Sequence, residues 1–127
     1  MTHALNKHVG FCAGLYGVLR KFIGCLLKDF PSEAERPWYA LDHPARGLLR
    51  ARGAAIRVTA EFGQPYREIT RNYRSWQLDE WLHFLETCSL LLLTRELMDS
   101  RMWRMWTYLR YIHICCAAMH VLLTGSK

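Results

Sequence analysis

Residues 66–123 read YREITRNYRSWQLDEWLHFLETCSLLLLTRELMDSRMWRMWTYLRYIHICCAAMHVLL, a stretch with neither proline nor glycine. Proline removes a backbone donor and clashes with the preceding turn, and glycine costs about 1 kcal/mol relative to Ala inside a helix. A run this long without either is helical for most of its length, though not in one piece. Ser75 is a cap candidate, with Asp79 and Glu80 in the turns that follow, where the helix dipole favours negative charge. Asp99-Ser100 is a second candidate break. Between them Leu78, Trp81, Leu82, Leu85, Cys88 and Leu92 recur at helical spacing. Beyond them Met102, Met105, Trp106, Leu109, Ile112, His113 and Cys116 share one face, with Trp103 and Arg110 on its flanks.

The four prolines, at 31, 37, 44 and 65, all precede this stretch and divide the rest of the chain. Residues 4–28 place Val9, Leu15, Tyr16, Leu19, Phe22, Ile23, Leu26 and Leu27 largely at three- and four-residue steps, which predicts an amphipathic helix. Gly10, Gly14, Gly17 and Gly24 weaken that helix and are read as points of tight packing against a neighbour. Residues 29–43 read as a loop. Asp42-His43-Pro44 then opens a helix over 44–62, with an acidic cap and proline in the first turn. Leu48, Leu49, Ala55, Ile56, Thr59 and Phe62 form its apolar stripe, Arg46, Arg50 and Arg57 another face, and Gly63-Gln64-Pro65 its end. Strand-like alternation appears nowhere. The expectation is one all-α domain over residues 1–127: a long helical hairpin between 44–62 and 66–123, with the N-terminal helix packed at its base.

Leu90–Leu93 is apolar all round, which predicts burial on more than one side. A single hairpin does not supply that. Either the N-terminal helix wraps the run, or a second copy completes a four-helix bundle, and dimerisation is the expected solution. Half of the residues are apolar, and five Trp and six Tyr are more aromatic surface than a small monomer easily hides. The residues expected at the dimer interface are Ile56, Trp81, Leu85, Leu92, Met102, Trp106 and Leu109. Enclosure of Leu92, Trp106 and Leu109 within a single copy would remove this ground for assembly.

The formal charge is +6, and its excess lies in residues 1–74, with twelve Lys/Arg against six Asp/Glu, while residues 75–127 hold five of each. Arg67, Arg71 and Arg74 at i, i+4 and i+7 form a candidate contact for nucleic acid or an acidic surface, with Tyr73 and Trp76 close enough to stack. A solvated basic face is the competing and preferred reading. The cysteines at 12, 25, 88, 115 and 116 are odd in number and lack CxxC spacing, and Met1 to His8 carries no signal-peptide pattern. An intracellular setting, host cytoplasm or nucleus, is expected. The longest apolar run, Tyr111–Leu123, falls short of the ~20 residues that span a bilayer.

Catalysis finds no foothold: there is no Gly-rich phosphate loop and no nucleophile elbow. The acids read as ion pairs (Glu61, Glu68) or helix-start residues (Asp79, Glu80). The chain is expected not to be an enzyme and to carry no cofactor. His113, Cys116 and His120 at i, i+3 and i+7 share a helix face and form a candidate metal triad, with Cys12 or Cys25 as a fourth ligand. The same positions continue the apolar stripe, so a packed core is the preferred reading and no metal is expected. The Met/Trp-rich run from Met98 to Trp106 is likewise read as core or interface rather than as a ligand pocket.

Three stretches resemble a known family. These are Leu27-Lys28-Asp29-Phe30-Pro31-Ser32; Pro37-Trp38-Tyr39 followed by Asp42 and the helix through Leu48; and Tyr111-Ile112-His113-Ile114-Cys115-Cys116. They are similar to the acidic–Phe–Phe–Pro stretch, the entry to the first spike helix and the aromatic-flanked His–x–x–Cys motif of hepadnavirus core (capsid) proteins and their non-enveloped fish relatives, the nackednaviruses. His113 and Cys116 stand on the matching positions of the last motif. The resemblance implies a subunit that pairs through a helical hairpin into a four-helix dimer, with dimers building an icosahedral shell around the viral genome. In that family a further apolar helix, a proline-containing arm and an arginine-rich tail follow the His–Cys helix, and residues 1–127 contain no counterpart of them.

The leading functional expectation is a homo-oligomerising structural protein, the assembly domain of a viral core protein, residing in the virion if so. The alternatives are a small viral or host accessory adaptor that captures a partner protein through its Trp/Met-rich helix, exposing Trp103 and Trp106, and a basic helical nucleic-acid-binding protein.

Overall fold

The computed structural model describes residues 2–56 and 66–125, with side chains from Gly14 onward. Among the described residues every regular element is helical and none is a strand, so the all-α class holds. The helices are α1 (Thr2–Leu26), α2 (His43–Ala54), α3 (Ile69–Asn72), α4 (Leu78–His83), α5 (Ser89–Leu92) and α6 (Ser100–Thr124), with short 3-10 turns at Glu33–Glu35, Tyr73–Ser75 and Arg95–Leu97.

Local chemistry explains the boundaries. Asp42 caps α2, its Oδ1 accepting the Ala45 N–H at 2.8 Å with proline in the first turn. Of the expected helix 44–62, the structure shows Ile56 just past the end of α2; Arg57, Thr59 and Phe62 lie outside the described residues. The stretch 66–123 is interrupted twice. The first break falls near Ser75, but the cap of α4 is Gln77, whose N–H donates to Glu80 Oε1 at 3.0 Å, one half of a capping box. Ser75 Oγ instead donates to the Asn72 carbonyl. The second break runs over residues 93–99 and ends where Asp99 caps α6, its Oδ1 accepting the Arg101 N–H at 2.8 Å. Between α4 and α5 the helix widens into a π-turn, Phe84–Cys88. Wider turns of this kind displace the regular hydrogen-bond ladder. The Leu85 carbonyl there takes bonds from Ser89 Oγ (3.1 Å) and from Arg110 Nε of α6 (3.2 Å).

The helix pairing differs from the expected hairpin. The principal long partners are α1 and α6, while α2 packs on α3 and α5. Phe22, near the end of α1, meets Trp106 with ring centres 5.3 Å apart. Arg101, in the first turn of α6, lies 3.9 Å over the Trp38 ring in the loop that follows α1. The start of α6 therefore rests against the end of α1. From that contact an aromatic chain runs through the core: Trp106 to Phe84 (5.7 Å), Phe84 to Trp76 (5.4 Å), Trp76 to Trp81 (5.0 Å) and Trp81 to Tyr16 (5.9 Å). Edge-to-face and tilted pairs of this kind add about 0.5–1.5 kcal/mol each beyond burial. Tyr16 closes the cluster, its hydroxyl donating to the Trp76 carbonyl at 3.1 Å.

Gly14, Gly17 and Gly24 of α1 do not mark a tight contact, and Gly10 lies outside the residues whose surroundings are described. A Cβ added at Gly14 or Gly17 would meet nothing within 4 Å, and one at Gly24 would reach only the Tyr73 hydroxyl at 3.7 Å. The close approach is on α2, where a Cβ at Gly53 would stand 3.2 Å from the Tyr66 ring.

Candidate interaction surface

The residues expected to join two copies are mostly committed within one. Trp81 and Leu92 are 0% exposed, Trp106 and Leu85 are 1% exposed, and Met102 is buried with them in a single core. Ile56 and Leu109 are half-buried and pack on the same cluster. A side chain enclosed by its own chain cannot also meet a second copy, so Trp81, Leu85, Leu92, Met102 and Trp106 are not free to form an interface in this fold, while Ile56 and Leu109 keep part of their surface open. The physical reason lies in α1, whose Leu15, Leu19, Phe22, Ile23 and Leu26 join that core and take the place foreseen for a second copy. Leu90–Leu93 is likewise not buried all round: Leu92 and Leu93 point inward, while Leu90 and Leu91 are exposed. The exposed pair expected for an adaptor is not presented either, because Trp106 is enclosed and Trp103 is half-buried against the core.

Uncovered apolar surface lies elsewhere, on the outer half of α6. Tyr108, Tyr111, Ile112, Ile114, Met119, Val121, Leu122 and Leu123 are all exposed, the last two at 82% and 75%. At ~200 Å² for a large side chain fully exposed, these eight present on the order of 1,000 Å². A typical monomer's largest apolar patch is roughly 300–600 Å², and one partner's share of a standard interface is about 800 Å². From Tyr111 to Gly125 the segment contains no Lys, Arg, Asp or Glu. Its last buried residue is His113, whose Nε2 lies 2.9 Å from Glu86 Oε1 on the π-turn. Gly125, in the left-handed conformation at φ 67°, donates its N–H to the Val121 carbonyl and closes the helix.

The arginine stripe is not a stripe. Arg67 precedes α3, Arg71 lies on that four-residue helix and Arg74 lies in the 3-10 turn after it, so no continuous helix aligns them. Arg67 is spent on a two-pronged contact with Glu80, at 2.8 and 2.9 Å, and on Ser75. That contact holds the Glu80 carboxyl below the usual carboxylate range. Arg74 folds back on the Tyr73 ring, 5.5 Å from its centre. Arg71 is exposed. Tyr73 and Trp76 are buried and cannot stack on a base.

His113, Cys116 and His120 follow one another along α6, but among the described residues no three His, Cys, Asp or Glu side chains gather closely enough to hold a metal ion. The fourth-ligand candidate Cys25 is exposed on α1, and the Cys12 side chain is outside the described set. Among the described residues no helix is long and apolar enough to cross a membrane.

Of the stretches that carry the resemblance, residues 27 and 28 are held by Arg46, which is buried although helical spacing sets it with Arg50 and Arg57 apart from the apolar stripe. Arg46 donates to the carbonyls of Leu41 (3.0 Å), Leu27 (3.1 Å) and Lys28, and its guanidinium lies over the Phe30 ring at 5.1 Å. Burial works against its charge and lowers its pKa from the ordinary arginine value. Comparison with protein-family models, with curated proteins and with solved structures finds no match for this chain.

Proposed function

We propose that this chain is a self-associating structural subunit whose copies join through the outer half of α6, residues 108–123. The observation that carries the reading is that segment's ring of exposed apolar side chains, uninterrupted by charge over residues 111–125. Burying one Leu of this kind contributes ~1.5–3 kcal/mol, so even two or three per copy outweigh the entropy of ordering them. The absence of Lys, Arg, Asp and Glu means that two copies meet without like-charge repulsion, and the uncovered segment suits helix-on-helix packing of a bundle. The similarity of residues 27–32, 37–42 and 111–116 to hepadnavirus-type core proteins supports one version of this reading, in which the dimers are building blocks of a viral shell.

Light scattering at micromolar concentration tests the reading, with a mass of twice the chain or more as the expected result. Negative-stain electron microscopy then separates a shell from a free dimer. A stable monomer at all concentrations, together with selective binding to one foreign protein that Leu122→Glu abolishes, would favour the adaptor alternative. A nucleic-acid role is less well supported, because Arg67 is already paired with Glu80.

A further inference from the structure

A second feature lies apart from the tip of α6, where α1, α6 and the loop after α1 enclose an open groove of ≈ 490 Å³. Its walls are Val18, Phe22, Trp38, Met102, Met105 and Leu109, with Tyr39 and Tyr108 at the sides, and Lys21 is its single charged lining residue. The volume falls within the ~300–1,000 Å³ of small-molecule sites, but such sites normally offer several polar groups to orient a ligand. Here Lys21 is the charged group of the lining, and Lys28 reaches the wall residue Tyr39. Lys21 is exposed on α1, and Lys28 Nζ lies 3.5 Å from the Tyr39 hydroxyl. Arg101 over Trp38 is already matched by Asp99 at 3.0 Å, whereas the ion pairs among the described residues include neither lysine.

An apolar slot with unmatched ammonium groups at its edge suits a ligand with a long hydrocarbon body and one anionic head. We propose that this groove binds a single long-chain fatty acid, its chain along Phe22, Met102 and Leu109 and its carboxylate at Lys21. The groove adjoins the segment proposed for self-association, sharing Tyr108 and Leu109 with it, and its binding is tested separately.

The test uses the full chain and monomeric palmitate below its aggregation concentration, with binding read by calorimetry. One palmitate per chain is expected, with Lys21→Glu weakening it about tenfold, one decade in Kd. The uncharged analogue hexadecanol should bind more weakly and be indifferent to Lys21→Glu. Val18→Trp, at an exposed position on α1, should fill the groove and abolish both. Circular dichroism of each variant confirms that it is folded, and Val18→Leu provides a milder filling variant if Val18→Trp is not. The proposal is overturned if palmitate does not bind, or if it binds equally well to the filled variants. It is also overturned if Val18→Trp changes only the oligomeric mass, which would make the groove a contact between copies. Binding to phosphatidylglycerol vesicles in preference to free palmitate would equally overturn it, since the rim would then be a membrane-facing surface. Light scattering of Val18→Trp and of Leu122→Glu keeps the two readings apart: the first should lose palmitate and keep its mass, the second the reverse.

Discussion

The two halves of α6 both carry large apolar side chains but have opposite surroundings. In the inner half, Met102 and Trp106 are enclosed by α1 and the π-turn, and Leu109 is partly covered. In the outer half, after His113 meets Glu86, Ile114, Met119, Val121, Leu122 and Leu123 are uncovered. The inner half carries Arg101, Arg104 and Arg110 and has a packing partner; the outer half has neither charge nor cover. An isolated helix of this length is marginal in water, so the inner half is held by the core and the outer half has only helix propensity and continuity with it. That difference separates what stabilises the subunit from what is left to join subunits.

The largest expected effect breaks the inner half. Trp106→Ala removes the ring that links Phe22 to Phe84 and should destabilise the chain by ~3–5 kcal/mol, a large part of the ~5–15 kcal/mol available to a domain. Ile114→Ala, on the outer half, should change subunit stability by less than ~0.5 kcal/mol. Urea unfolding at a low protein concentration compares the two. Equal losses would mean that the outer half belongs to the same core.

The second effect acts on the outer half alone. Leu122→Glu with Leu123→Glu should leave the unfolding midpoint of the dilute chain unchanged and weaken self-association at least ~100-fold, since each Leu contributes ~1.5–3 kcal/mol when buried. Sedimentation velocity over a concentration series reads this directly. An unchanged association constant would show that copies meet elsewhere.

These contrasts also show what sequence reading reaches. The cap at Asp42 and the break at Asp99 were legible because each is decided by a few adjacent residues. The break near Ser75 was placed closely, but its cap is Gln77 with Glu80, a weaker pattern than Ser, Thr or Asp at a helix start. Helical spacing identified Trp81, Leu85, Leu92, Met102 and Trp106 as a buried face, yet spacing does not say whether α1 or another copy covers it. The Arg67/Arg71/Arg74 stripe presumed one helix across residues where α3 is four residues long. The burial of Arg46 was not legible, because nothing local announces that the chain end of α1 will bring its carbonyls to it. The π-turn has no sequence signal, and with it the meeting of Glu86 and His113 was out of reach.

A third effect sharpens the role of the inner region. Arg46→Leu leaves the carbonyls of Leu27, Lys28 and Leu41 without their donor. A lost bond of that kind to a buried group costs ~1–3 kcal/mol. Thermal unfolding should fall accordingly while the association constant of the folded chain stays unchanged. A large change in association would tie the 27–32 loop to the interface.

The smallest effect is acid sensitivity, and it also belongs to the inner region. Glu80 titrates below its ordinary range because of Arg67, and Glu96 is held down to about 2 by the Thr94 hydroxyl, its own N–H and Arg52. A depressed folded value means stability that is present above the unfolded value of about 4.3 and lost as pH falls through the folded one. Unfolding midpoints should therefore decline between about pH 4 and pH 2, and Glu80→Gln should flatten part of that decline. Residues 111–125 hold no carboxylate. A decline that Glu80→Gln leaves unaltered would mean that the Arg67 pair contributes nothing in solution.

Hydrogen exchange resolved along α6, measured at two protein concentrations, bears most directly on the division between its halves. Residues 100–110 should be equally protected at both, and residues 111–124 should gain protection as concentration rises and a second copy covers them. Protection of 111–124 that is the same at every concentration, and as strong as that of 100–110, would contradict the account.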